Sequence, residues 1–68
     1  MASAQIRIVE RDLAAEMERM RVWLDSRRCE PAAFRYEHGE AGVVIHVEFA
    51  AAQEAEAFAL AFGGQVQH

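Results

Sequence analysis

Sixty-eight residues make one domain near the lower limit for independent folding, so its core must be thin. The net charge of -4 disfavours nonspecific binding to nucleic acid or to an anionic membrane surface, and no apolar run approaches the ~20 residues that span a bilayer. A single cysteine excludes an internal disulfide, and Met1 to Gln5 lack the basic segment and apolar run of a signal peptide, so a cytoplasmic protein is expected.

Hydrophobic residues are 53% of the chain, but 14 of them are alanine, which brings little apolar area. All 7 basic residues are arginine. Alanine, arginine, glutamate and glycine are common, as in a GC-rich bacterial genome, which explains the arginines without phosphate binding.

Residues 4–9 alternate, with Ala4, Ile6 and Ile8 on one side and Gln5, Arg7 and Val9 on the other. Two isoleucines two apart predict a short strand with one buried face. A helical period then covers 11–28. Leu13, Met17, Met20 and Leu24 form one stripe with Trp23 on its flank. Asp12 suits the N-cap or the first turn, where its charge meets the positive end of the helix dipole. Glu16 and Arg19, Glu18 and Arg21, and Asp25 and Arg28 are spaced to pair on the solvent side. Pro31 is expected to stop the helix, because Glu30 before it is pushed out of the α region.

The period changes to two over 33–49. Phe34 and Tyr36 alternate with Arg35 and Glu37. Gly39 and Gly42 then flank a turn, and Val43, Ile45, Val47 and Phe49 alternate with Val44, His46 and Glu48. This predicts a β-hairpin with Phe34, Tyr36 and the second alternating set buried. Over 51–62 the helical period returns, with Ala51, Ala55, Phe58, Ala59 and Phe62 on one face. Gly63 fits the left-handed position after a helix, and residues 65–68 have room for a short edge strand. One domain over residues 1–68 is expected.

The element order β-α-β-β-α, with a potential last strand, resembles a ferredoxin-like split βαβ sandwich. That implies an α+β fold with two helices on one face of an antiparallel sheet. It implies no activity, because this fold hosts many.

The opposite sheet face would carry Arg7, Arg35, Glu37, His46 and Glu48. A solvated face with cross-strand charge pairs is the plainer reading; a surface for a charged ligand is the sharper one. RNA-binding domains of this topology stack bases on open-face aromatics, and this face has none, so no nucleic-acid partner is expected. Glu37, His46 and Glu48 are the nearest approach to a metal cluster, but convergent ligands are not evident and no metal or other cofactor is expected. Cys29, beside Arg27 and Arg28, reads first as a small buried hydrophobe.

Val22 and Leu60 lie opposite their helices' buried stripes. With Trp23 they mark a surface where the helix layer meets another copy or another protein. The expected function is therefore a homodimeric or accessory protein-interaction module without catalysis of its own. The alternative is a ligand-binding or regulatory module that uses the open sheet face or a pocket at a dimer interface. A self-sufficient enzyme ranks third, because no nucleophile and base are paired by spacing and so small a domain leaves little room for a pocket of several hundred Å³.

Overall fold

The computed structural model describes residues 2–40 and 42–67. Strand β1 (Ala2–Ile8) leads through a 3-10 turn (Glu10–Asp12) to helix α1 (Leu13–Ser26). Strands β2 (Ala33–Gly39) and β3 (Gly42–Phe49) follow, then helix α2 (Ala52–Phe62) and strand β4 (Gln65–Gln67). The strands form an antiparallel sheet in the order β2-β3-β1-β4. This is an α+β architecture, and the final strand is present. His68 lies outside the described residues.

The sheet has one dry face. Ala2, Ala4, Ile6 and Ile8 of β1 and Val43, Ile45, Val47 and Phe49 of β3 are buried in one cluster with Met20, Leu24, Ala55, Phe58 and Ala59. Both helices therefore cover that face, and Val44, His46 and Glu48 point away from it. Phe58 is 0% exposed. Its ring meets Trp23 at 5.3 Å, Phe49 at 5.5 Å and Phe62 at 4.8 Å, which ties both helices to β3.

The two helices sit at different heights. Helix α2 comes close to β1, where the contact is built from small residues: Ala55 and Ala59 on the helix, Ala2 and Ala4 on the strand. Helix α1 stands further off, on the longer side chains of Met20 and Leu24. Alanine, discounted in the composition, is what lets α2 approach. It also lengthens the first strand: β1 starts at Ala2 rather than at residue 4, and it stops at Ile8, leaving Val9 exposed.

Three expectations need correction. Tyr36 has the inward parity, paired with Ile45, yet it is 51% exposed. Strand β2 is at the edge of the sheet, and no helix reaches over its far half; Phe34, at its start, is half-buried. Asp12 occupies the N-cap of α1, but its carboxylate accepts no hydrogen bond from the helix.

The third correction is the end of α1, which comes before Pro31 can act. Arg28 takes the left-handed conformation, φ 53°. Its N–H donates to the Asp25 carbonyl (3.1 Å) and the Cys29 N–H to the Leu24 carbonyl (2.9 Å). These two bonds close the last turn as a Schellman motif. Helix α2 ends with the same six-residue closure, Gly64 N–H to the Ala59 carbonyl (2.8 Å), with Gly63 at φ 72°. Glycine takes that conformation freely and arginine does not. Gly64 is required for another reason: a Cβ there would overlap the backbone carbonyl of Gln5 and the end of Ile6.

Two stability outcomes follow. Phe58→Ala should cost about 3 kcal/mol or more, since it empties the contact shared by both helices and β3. A melt within a few degrees of wild type would place Phe58 outside the energetic core. Arg28→Gly should stabilise by about 0.5–1 kcal/mol by relieving the left-handed strain, read as a rise in the urea midpoint at unchanged slope.

Candidate functional site

The open sheet face is laid out by the register. One row across the strands is Ala33, Glu48, Ser3 and Gln67; the next is Arg35, His46, Gln5 and Gln65; the third is Glu37, Val44 and Arg7. Arg35 reaches diagonally to Glu48 at 3.5 Å. Gln5 Nε2 and His46 Nδ1 lie within hydrogen-bond distance, at 3.3 Å. Glu37 lies opposite Val44, so it does not join His46 and Glu48. Among the described residues no group of three His, Cys, Asp or Glu side chains is arranged to hold a metal. The face is a polar surface of paired charges and amides, with Arg7 exposed at its margin.

On the helix layer, Val22 is 57% exposed and Leu60 is 87% exposed. Trp23 is engaged elsewhere. It lies edge-on to Phe58 and Phe62, and the Arg27 guanidinium covers its ring at 4.5 Å. Arg19 sits over Phe62 at 5.6 Å and also pairs with Glu16. The indole is thus a lid on the aromatic cluster, and only Val22 and Leu60 of the three remain as exposed apolar groups.

The structure adds a feature that periodicity did not reveal. Because α1 stands off the sheet, a groove of about 620 Å³ opens between α1, the loop after it and the start of β2. Met17, Leu24 and Phe34 give it an apolar floor. Glu18, Arg21, Asp25, Arg28 and Glu30 line its rim, so it selects no single sign of charge. Its size lies within the ~300–1,000 Å³ common for small-molecule sites. The groove corrects the expectation that so small a domain leaves little room for a pocket of several hundred Å³. The cause is the spacing between a helix seated on long side chains and an edge strand that it only half covers. Arg21 and Arg28, predicted to pair along the helix, border this groove instead.

Cys29 sits at the end of α1, beside a smaller cavity of about 220 Å³ that Trp23, Arg27 and Glu54 also line. Its thiol donates to Glu54 Oε2 at 3.2 Å. Burial, the hydrogen bond to Glu54 and the Glu54 charge push the thiol up to about 11, against a smaller opposing pull from Arg27. Arg27 therefore does not make a thiolate: burial and a carboxylate contributed by α2, 25 residues away in sequence, outweigh it.

At the bare end of β2, His38 Nε2 lies 3.8 Å from a Glu10 carboxylate oxygen, and its ring meets Tyr36 edge-on at 5.7 Å. His38 lies in β2, next to its last residue, Gly39. No helix among the described residues is long and apolar enough to cross a membrane. Comparison with protein-family models, with curated proteins and with solved structures finds no match to this chain.

The thiol gives a pH-dependent outcome. Alkylation of folded Cys29 should rise with pH about a midpoint near 11, against 9.0 for an ordinary thiol. Glu54→Gln should move that midpoint down, because the carboxylate raises it by both hydrogen bond and charge. The folded state holds the proton more tightly than the unfolded chain. Stability is therefore lost as pH climbs from about 9 to about 11 and is unaffected by this group below that window. An alkylation midpoint at or below 9 would show that Glu54 does not control the thiol.

Proposed function

We propose that this chain is a homodimeric protein-interaction module of ferredoxin-like topology that works in the cytoplasm. The topology rests on two interleaved split units. Helix α1 links β1 to β2, which flank β3, and α2 links β3 to β4, which flank β1. Within each unit the two linked strands are parallel to one another and antiparallel to the strand between them.

The interaction reading rests on β2. It is a seven-residue edge strand, with a regular register and Tyr36 51% exposed on a side that no helix covers. Long uncovered edges invite another strand, and a 68-residue domain gains burial by association that its own core cannot supply. Two surfaces are candidates: this edge, and the helix layer at Val22 and Leu60. Sedimentation equilibrium at micromolar concentration is expected to return twice the chain mass. A monomer across that range overturns the reading.

The groove favours a second reading, a module that binds a small ligand with an apolar body and polar ends beside Phe34. The open face with Arg7, Arg35, Glu37, His46 and Glu48 is its other candidate surface. Native mass spectrometry of protein purified from its own host tests it: a retained small molecule, lost in Phe34→Ala, supports it, and bare protein counts against it.

A further inference from the structure

We propose that two copies of this chain join through β2, antiparallel about a twofold axis at Tyr36, to form one continuous eight-stranded sheet. This rests on the homodimer reading and names its surface.

The edge itself makes the first case. The register between β2 and β3 runs without a bulge from Ala33 to Gly39, and the strand contains no proline. Among the described residues its outward N–H and C=O groups have no partner strand. Bulges, prolines and short length are the usual protections of an edge. The opposite edge, β4, has one of them: it is three residues long.

The charge pattern makes the second case. Read outward from Tyr36, the strand is antisymmetric in charge: Arg35 on one side and Glu37 on the other, then Phe34 and His38. Antiparallel pairing about Tyr36 sets each Arg35 opposite the second copy's Glu37, twice, on the open face. It sets each Phe34 opposite the second copy's His38, and the two Tyr36 side chains against each other, on the helix face. Sliding the pairing by one residue pair sets Arg35 against Arg35 or Glu37 against Glu37. Directly opposed like charges oppose pairing, so the charges select one register. Glu37 is available for this: among the described residues it makes no ion pair, and it faces uncharged Val44 within its own sheet. Arg35 has donors to spare, since its contact with Glu48 is long, at 3.5 Å, and uses one guanidinium nitrogen.

The pairing covers what the single chain leaves bare. Tyr36 is buried against its symmetry mate. The grooves beside the two α1 helices come to flank one shared floor of Phe34, Tyr36 and His38. The helix layer has no comparable complementarity, because Trp23 is already held by Phe58, Phe62 and Arg27.

The test is a charge exchange read by sedimentation equilibrium at low salt, with circular dichroism to show that each variant is folded. Glu37→Arg should weaken the dimer about tenfold, as should Arg35→Glu, because each places like charges opposite one another at two symmetric points. The double variant Arg35→Glu, Glu37→Arg should recover affinity to within about threefold of wild type, while Val22→Glu, Leu60→Glu should leave it unchanged. Hydrogen exchange on wild-type protein supplies a readout that needs no variant: amides of β2 should lose protection on dilution through the dissociation range, while helix amides should not. A monomeric wild type overturns both this inference and the homodimer reading. A dimer that Glu37→Arg leaves intact, or whose β2 amides exchange alike at all concentrations, overturns the β2 interface alone. Dissociation by Val22→Glu, Leu60→Glu overturns it in favour of the helix layer.

Discussion

The burial of Phe58 is the contact on which the other packing depends. It sits where α1, α2 and β3 meet, touching Trp23, Phe49 and Phe62. A 68-residue chain has too little interior for several independent clusters, so one aromatic centre does what a larger domain distributes. Everything around it is arranged to keep it dry. Trp23 closes one side, Arg27 and Arg19 lie across the outer rings, and Met20 fills the space below. The arginines act here through their planar faces and their stems rather than as anion receptors.

The unequal height of the helices follows from side-chain size and has consequences for the surface. Alanines at the contact of α2 with β1 let those backbones approach closely. Longer residues under α1 hold it away, and among the described residues no further element fills the resulting gap beside β2. The groove, the half-exposed Phe34 and the bare Tyr36 are three results of that one spacing. The half of the sheet under α2 is finished within one chain; the half under α1 ends in an open edge.

The charged groups divide along the same line. On the open face Arg35 pairs with Glu48 and His46 with the Gln5 amide, while Glu37 makes no ion pair among the described residues. At Cys29 burial, together with a carboxylate from the neighbouring helix, favours the protonated thiol, so the residue behaves as a hydrogen-bonded spacer between α1 and α2. The surface that remains unsatisfied is the β2 edge, where backbone donors and acceptors, an exposed tyrosine and a self-complementary charge pattern coincide.

Much of this was legible along the chain. Alternation from Val43 to Phe49 determined which residues of β3 are buried, because strand side chains have a period of two whatever surrounds them. The stripe through Met20 and Leu24 determined the inner face of α1, and Gly63 determined the end of α2, since only glycine is at ease in that conformation. The charges of the open face could likewise be named from parity alone. Other features depended on residues distant in sequence. Tyr36 has the parity of a core residue and lies bare, because parity assigns a face but not a place in the strand order. Cys29 has basic neighbours, yet its thiol is pushed up, because the packing of α2 on α1 both buries it and brings Glu54 to it. The groove arises from the difference in stand-off between two helices, a quantity no single helix encodes. Local periodicity determined which side of each element is apolar. Only the tertiary structure decided how far that apolar side is covered, because coverage is set by which elements become neighbours and how closely their side chains let them approach.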